Sequence, residues 1–181
     1  MFTSIYDASE EYTHVLSELT EDADRNQLIA TDVIREATNG GGICLVLTDR
    51  KEHCNALAAI ISPCGIETAI LTGEVSNGSR KTIVERLNSG GVKVLIATGQ
   101  LIGEGFDCKE LSTLFLATPI KFDGRLTQYL GRVLRPALGK DKAKIYDYAD
   151  SAVPVLAASA RARQRVYRGV GRLNSNNISN G

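Results

Sequence analysis

Five short apolar runs alternate with helical patterns through this chain, and that alternation restricts the fold more than any other feature. The runs lie at 43–47, 68–71, 92–97, 113–117 and 143–148. The first four are mostly apolar, which is typical of parallel strands covered on both faces. Helical patterns lie at 25–41, 50–61, 79–88, 123–135 and 153–169. This alternation predicts βαβ units with right-handed crossovers, and hence an α/β fold with a mainly parallel central sheet.

The 181 residues fit one domain with short extensions at its ends. Residues 1–24 carry no core-like pattern and are interpreted as a linker or N-terminal extension. Residues 25–173 form the predicted domain, and the polar segment 174–181 is predicted to be a disordered tail. No apolar run in the sequence is long enough to span a membrane.

The charge balance excludes a strongly basic binder of the histone kind, because 21 basic residues match 21 acidic ones. The charge is nevertheless unevenly distributed along the chain. Seven acidic residues and no Lys or Arg lie within 7–24, whereas five arginines and no acid lie within 161–172. Those arginines either contact phosphates or belong to an exposed helix that packs against the domain.

Four cysteines are present, and none forms a CxxC pair: Cys44, Cys54, Cys64 and Cys108. The first three fall in a predicted strand, helix and turn, whereas zinc ligands usually come in close pairs. Small buried hydrophobic side chains are therefore the favoured interpretation. Together with the lack of a signal peptide, this predicts a reducing, cytoplasmic compartment.

Threonine directly follows four of the five strands, at Thr48, Thr72, Thr98 and Thr118. Ligands of open parallel sheets bind outside the carboxyl ends of the strands. Hydroxyls and backbone N–H groups at that edge suit phosphate oxygens. Threonine is also simply a good strand residue, but four in register favour an edge that faces phosphates.

The segment after Thr98, GQLIGEGFD, brings glycines and an aspartate to the same predicted edge. Gly103 and Gly105 let the backbone approach a ligand, and Asp107 can accept hydrogen bonds from ribose hydroxyls. The overlapping stretch GEGFDC is a poor dinucleotide fingerprint, because it does not directly follow a strand and its third glycine is missing. A Rossmann dehydrogenase is therefore not expected.

The stretch QYLGRVLRP, residues 128–136, carries a polar stripe. In a helix over 123–135, Arg125, Gln128, Arg132 and Arg135 lie at i, i+3, i+7 and i+10 on one face. A solvated helix face is the ordinary explanation, yet three like charges without an acid are mildly unfavourable there. The planar arginine fork matches phosphate oxygens, so the stripe predicts an anion supplied from outside this domain.

Four segments, taken in chain order, resemble motifs of the superfamily-2 DNA/RNA helicases and translocases. LVLTDRKEH (45–53) is similar to the fourth motif, LTG (71–73) to the short motif after it, IATGQLIGEGFD (96–107) to the fifth and QYLGRVLR (128–135) to the sixth. The resemblance covers about residues 25 to 168. Within the superfamily, the sequence is most similar to the bacterial Rad25-like and type III restriction-type helicases.

The resemblance implies a three-layer RecA-like domain, the second of two such lobes. ATP and Mg²⁺ would bind in the cleft between this lobe and an N-terminal RecA-like lobe. Nucleic acid, with DNA preferred over RNA, would lie across both. By matching positions, the resemblance implies that Arg132 and Arg135 are arginine fingers with Gln128 beside them. It implies that the nucleotide is faced by Gly103, Gly105 and Asp107. It implies that the nucleic-acid backbone is faced by Thr48, Arg50, Thr72, Gly73 and Thr98.

The sequence lacks the motifs that cradle triphosphate and Mg²⁺ in such motors. It contains no GxxxxGK[ST] loop, and DYAD (147–150) lacks the glutamate of the acidic motif. The chain alone is therefore expected to be inactive as an ATP hydrolase. A non-catalytic nucleic-acid-binding or regulatory module with the same fold is the alternative. An enzyme with chemistry of its own is less favoured, because His14 and His53 pair with no nucleophile and acid.

Overall fold

The computed structural model describes residues 2–7, 11–99, 108, 110–119, 125–133 and 143–176. Its elements are α1 (Tyr12–Glu21), α2 (Ala23–Asn39), β1 (Ile43–Thr48), α3 (Lys51–Ile61), a 3₁₀ turn (Ser62–Cys64), β2 (Thr68–Leu71), α4 (Asn77–Asn88), β3 (Val94–Thr98), β4 (Leu111–Leu116), α5 (Arg125–Val133), β5 (Lys144–Asp147) and α6 (Pro154–Asn176). Each predicted strand and helix is present, close to its expected bounds. The exception is α6, which continues to Asn176.

The five strands form one sheet in the order β2-β3-β1-β4-β5, and all four pairings are parallel. The prediction of a mainly parallel central sheet is therefore confirmed. The central strand β1 pairs with β3 from Cys44↔Val94 to Thr48↔Thr98 and with β4 on its other side. The carboxyl ends of all five strands consequently meet at one edge of the sheet, called here the carboxyl edge.

Helices cover both faces of the sheet, as the unbroken apolar strands require. All six residues of β1 are buried, with alternate side chains on opposite faces. Leu45 and Leu47 pack in a cluster with α4 and α5, whereas Cys44 and Val46 pack with α2 and α3. These two apolar layers around the sheet give the three-layer α/β architecture that the sequence predicts.

The N-terminal segment differs from the expectation that it lacks a core-like pattern. Helix α1 buries Val15 and Leu19 in a third cluster with Phe2 and with Val153 and Leu156 near the start of α6. The two apolar positions are four residues apart, so they form a stripe of a single helical turn among polar and acidic residues. Likewise, α6 runs into the segment predicted as a tail, and residues 177–181 lie outside the described residues.

Two buried arginines, one on α2 and one on α6, form ion pairs with aspartates at the carboxyl edge. Arg25 of α2 donates to both oxygens of Asp150 at 3.1 and 3.2 Å and to the carbonyl oxygen of Ala117 at 2.6 Å. Arg163 of α6 donates to both oxygens of Asp147 at the end of β5. Several charge-assisted bonds per ion offset the desolvation that burial demands. The aspartates of DYAD are therefore structural ion-pair partners.

The cysteines behave largely as the sequence predicts. Cys44, Cys54 and Cys108 are buried free thiols, and Cys64 is exposed. Burial raises the pKa of Cys44 and of Cys54 to about 12, so both thiols stay protonated and act as small apolar groups. Among the residues that the structure describes, no group of His, Cys, Asp and Glu side chains is arranged to hold a metal ion. No helix in this part of the chain has the length and apolar character needed to cross a bilayer.

Candidate functional site

The four predicted threonines lie side by side along the carboxyl edge. Thr48 ends β1 and is paired in register with Thr98 at the end of β3. Thr72 follows Leu71, the partner of Ala97, so it lies next to Thr98. Thr118 follows Ala117, whose N–H donates to the carbonyl oxygen of Leu47 at 2.8 Å. The structure thus brings together the hydroxyl-bearing residues that were singled out from the sequence.

The hydroxyl of Thr48 is committed to a buried network. Thr48 is 1% exposed, and its Oγ1 lies 2.8 Å from Nδ1 of His53. The other ring nitrogen, Nε2, lies 2.8 Å from Oδ1 of Asn26, whose Nδ2 donates to the carbonyl oxygen of Thr20 at 2.8 Å. Because Asn26 Oδ1 can only accept, Nε2 of His53 carries the proton and Nδ1 accepts from the Thr48 hydroxyl. The network links α2, α3 and β1.

His53 is held in its neutral form at this position. Burial, together with a smaller contribution from the nearby Arg25 guanidinium, lowers the pKa of His53 to about 4. The sequence drew attention to His53 only as a catalytic candidate without partners. Its structural role depends on contacts with Asn26, 27 residues earlier in the chain, and no local pattern signals such a contact.

The turn after β1 is fixed by two of the threonines. Oγ1 of Thr118 accepts from the backbone N–H of Asp49 at 3.0 Å, and Oγ1 of Thr48 accepts weakly from the N–H of Arg50 at 3.4 Å. Both threonine side chains are buried. Thr48 and Thr118 thus position the backbone at 49–50, whereas Thr98 is half-buried and keeps its side chain nearer to solvent.

Arg50 lies between α1 and α3 at this edge. It is the residue before the first turn of α3, and its Nη2 donates to the carbonyl oxygen of Thr13 in α1 at 3.1 Å. A pocket beside it is lined by Ser17, Thr20, Glu21, Asn26, Glu52, His53 and Ala56. The predicted phosphate-binding arginine is therefore held by a helix within the segment that was interpreted from the sequence as a linker or N-terminal extension.

Gly73 is exposed, and a Cβ at this position would meet nothing within 4 Å. The packing of this chain alone therefore does not require a glycine there. Gly99 is different, because a Cβ there would lie 3.2 Å from the hydroxyl oxygen of Tyr129. Its lack of a side chain permits the close approach of Tyr129 to the end of β3.

Helix α5 is anchored at the carboxyl edge by its buried face. The hydroxyl of Tyr129 donates to the carbonyl oxygen of Gly99, directly after β3. Leu130 and Val133 are buried in the cluster that covers the same face of the sheet. The helix that carries the predicted polar stripe is thus fixed beside the strand end that leads into the GQLIGEGFD segment.

The backbone of α5 includes Arg125, Gln128 and Arg132, so the helical spacing on which the stripe depends is confirmed for these positions. The side chains at these three positions, and Arg135 as a whole, lie outside what the structure describes. The same holds for Gly103, Gly105 and Asp107. The roles assigned to these residues remain predictions.

Residues 27–137, more than half of the chain, match the family described as the helicase conserved C-terminal domain. The chain belongs to this family. The matched region contains the carboxyl ends of β1 to β4 together with α5. Helix α1, β5 and α6 lie outside it.

Curated relatives of this helicase C-terminal domain are much longer proteins. It is 30% identical over 109 residues to IRC3 of Saccharomyces cerevisiae, provisionally named an ATP-dependent helicase, covering 60% of this chain and 16% of IRC3. It is 29% identical over 133 residues to D10 of Escherichia phage T5, named a probable helicase, covering 74% of this chain and 29% of D10. The chain thus spans less than a third of either relative.

Among solved structures, the domain is similar to T4 UvsW, with a TM-score of 0.72 and 23% identity. The alignment covers 87% of this chain and 35% of UvsW. At this level of identity the likeness concerns the fold. It confirms the RecA-like, three-layer α/β architecture. The family match and the helicase relatives support the resemblance to superfamily-2 helicases.

Proposed function

We propose that this chain is the second motor lobe of an ATP-dependent nucleic-acid helicase or translocase. It completes an ATP site on an N-terminal RecA-like lobe and contacts the nucleic-acid backbone at its carboxyl edge. The observation that carries the proposal is the docking of α5 by Tyr129 onto Gly99. This contact sets the helix of the arginine stripe and the strand ends of the other motifs at one edge, where parallel sheets bind ligands.

In this proposal, the nucleotide-facing residues supply positive charge and backbone access. ATP with Mg²⁺ supplies the phosphoryl group whose transfer drives the motor. Arg132 and Arg135 stabilise negative charge that develops on that group, and Gln128 orders the side of the cleft that they enter. Gly103 and Gly105 admit the nucleotide close to the backbone, and Asp107 accepts hydrogen bonds from the ribose.

The nucleic-acid side of the proposal rests on contacts with phosphates. Arg50, Thr72, Gly73 and Thr98 line the ends of β1, β2 and β3, where they face the backbone of the bound strand. Thr48 acts indirectly, because its hydroxyl is committed to His53 and holds the turn that carries Arg50. DNA as the preferred nucleic acid, and membership of the Rad25-like or type III restriction-type group, follow from the motif resemblance. A cytoplasmic location is consistent with the four free thiols.

Alanine substitution of the two finger arginines tests the proposal in the protein joined to its ATP-binding lobe. Arg132→Ala, and separately Arg135→Ala, should lower single-turnover ATP hydrolysis by roughly 10³ to 10⁵. ATP affinity should fall far less, because the strongest contacts form in the transition state. Arg→Lys should not rescue either position, since an ammonium group cannot reproduce the bidentate fork.

Arg86→Ala is the matched control, because Arg86 is an exposed arginine on α4 paired with Glu67. It should hydrolyse ATP at the parental rate. Thermal melts would show that each variant remains folded. Parental hydrolysis by both folded finger variants would reject the motor assignment and favour the non-catalytic nucleic-acid-binding module.

A further inference from the structure

Helix α6 separates its arginines onto two faces. The packed face carries Val153, Leu156, Ala160 and Arg163, all of them buried. The Arg163 guanidinium is neutralised there, because Nε and Nη2 donate to Asp147 and Nη1 donates to Ser159 Oγ at 2.9 Å. Arg163 thus holds α6 to β5 through a buried ion pair and is not available to an outside ligand.

The opposite face of α6 presents three exposed arginines, Arg161, Arg165 and Arg168, at i, i+4 and i+7. These three residues are called here the arginine face. The sequence of α6 contains no Asp or Glu, so no neighbour on the helix can neutralise them. Within the described part of the chain, no salt bridge involves any of the three. Like charges at this spacing repel one another, so the face is electrostatically suited to an external anion.

The arginine face begins beside the carboxyl edge. Arg163, between Arg161 and Arg165, binds Asp147 at the carboxyl end of β5. Tyr167, one helical turn further along α6, also donates to Asp147, at 2.8 Å. Residues 163–167 of α6 therefore lie beside the carboxyl end of β5, at the edge where the proposed nucleic-acid contacts lie.

We infer that the arginine face is an additional phosphate-binding site, which extends the proposed nucleic-acid track beyond the strand ends. The inference rests on the proposed function of the carboxyl edge. At 1.5 Å per residue, Arg161 and Arg168 lie about 10 Å apart along the helix, and a nucleic-acid strand presents a phosphate about every 3.4 Å of B-form axis. Three arginines can therefore meet up to about three phosphates of one strand.

The chemistry of the face favours a nucleic acid over an acidic protein. The exposed residues around the arginine face include Ala158 and Gln164. The large exposed apolar side chains of the described residues, Ile5 and Leu28, lie elsewhere. The residues that dominate protein interfaces are mainly Trp, Tyr and Arg buried in well-packed central pockets, and the exposed residues described around this face include no aromatic side chain to form such a pocket. Arginine, in contrast, binds phosphate bidentately without an apolar contribution. The face also lies outside the matched region of the family, residues 27–137.

The test measures how the 181-residue chain binds a fluorescent single-stranded oligodeoxythymidine across a series of NaCl concentrations. The triple variant Arg161→Ala, Arg165→Ala, Arg168→Ala should bind at least about tenfold more weakly at low salt. The slope of log K against log salt should become shallower by roughly 2, because three phosphate contacts on a single strand contribute about 0.7 each. All three side chains are exposed, so the urea midpoint should stay at the parental value.

A second triple variant, Lys81→Ala, Arg86→Ala and Lys93→Ala, is the matched control. It removes the same number of exposed positive charges, and Arg86 and Lys93 lie at the opposite edge of the sheet, near Glu67 and before β3. It should leave the salt slope unchanged. If both triple variants weaken oligonucleotide binding equally, the loss is explained by the change in net charge alone, and the inference is overturned.

Arg50→Ala separates this inference from the proposed function. If Arg50→Ala weakens binding while the α6 triple variant binds as the parent does, the arginine face is not a site and the carboxyl-edge proposal stands. If the parent chain binds no oligonucleotide even at low salt, both ideas fail. Polyglutamate tests whether the arginine face binds any acidic polymer. If the parent chain binds polyglutamate as tightly as the oligonucleotide, and the α6 triple variant loses both equally, the face is not specific for phosphates and the inference is overturned.

Discussion

At the scale of single residues, the carboxyl edge depends on polar side chains whose hydrogen bonds are all satisfied. Within the described residues, no buried side-chain nitrogen or oxygen lacks a partner. The Thr48–His53–Asn26 chain is the clearest case, because each member is buried and each donor meets an acceptor. A buried network of this kind fixes one local conformation when every member is satisfied, and here it fixes the turn that presents Arg50.

The depressed pKa of His53 predicts a specific loss of stability at acidic pH. The group titrates at about 4 in the folded protein and near 6.5 when unfolded. Between these values the unfolded chain binds a proton that the folded chain does not, so the free energy of unfolding falls as pH falls through this window. The shift corresponds to a loss on the order of 3 kcal/mol between about pH 7 and about pH 4.

His53→Gln provides the comparison, because glutamine keeps a polar side chain but does not titrate. Urea unfolding at several pH values gives the difference in stability between the parent and the variant, in which the carboxylates common to both cancel. That difference should shrink steadily as the solution becomes acidic. A difference that stays constant from neutral to acidic pH would show that His53 does not bind its proton on unfolding.

At the scale of elements, α1 and α6 enlarge the domain beyond the region matched by the helicase family. They pack on each other through Val15, Leu19, Val153 and Leu156, and α1 also receives the side chain of Arg50. The two helices are therefore expected to unfold together with the sheet. In this arrangement α1 contributes to the stability of the lobe, which a flexible linker would not do.

Leu19→Ala measures that contribution. Leu19 is fully buried, so its truncation should lower the free energy of unfolding by about 2 to 5 kcal/mol through lost apolar burial and a residual cavity. Leu28→Ala is the matched control on α2, because Leu28 is 54% exposed and should cost no more than about 0.5 kcal/mol. Equal urea midpoints for the two variants would mean that α1 does not pack on the domain in solution.

The elements that the sequence predicted well are those with a dense local pattern. The apolar run of β1 predicts a strand, and the regular apolar spacing in α3 and α4 predicts helices, from the local sequence alone. Helix α1 was missed because only Val15 and Leu19 mark its buried side, and their partners at 153 and 156 lie far along the sequence. The buried arginine of α6 could not be separated from its exposed neighbours by sequence either, since Arg163 is distinguished by its burial and by contacts such as that with Asp147.

At the scale of the whole molecule, the order of the strands in the sheet could not be predicted from the sequence. Apolar runs predict strands, and helices between them predict parallel pairing, but neither says that β1 is central between β3 and β4. That order is decided by packing between distant segments. It also determines the site, because it places Thr48 beside Thr98 and Thr118 near Asp49. The threonines were predicted to share an edge, whereas the burial of Thr48 and Thr118 depends on that three-dimensional neighbourhood.

The last prediction concerns the chain as a unit: the 181 residues alone should hydrolyse no ATP above background, with or without nucleic acid. The sequence has no GxxxxGK[ST] loop, and an arginine finger accelerates transfer only of a phosphoryl group that is already held in place. The paired acids Asp147 and Asp150 cannot substitute as Mg²⁺ ligands while they are bound to Arg163 and Arg25. Phosphate release from the purified chain, with Arg132→Ala as its control, measures this directly. Steady turnover that Arg132→Ala leaves unchanged would place an ATP site elsewhere in the chain and contradict the proposal that this chain is half of a two-lobe motor.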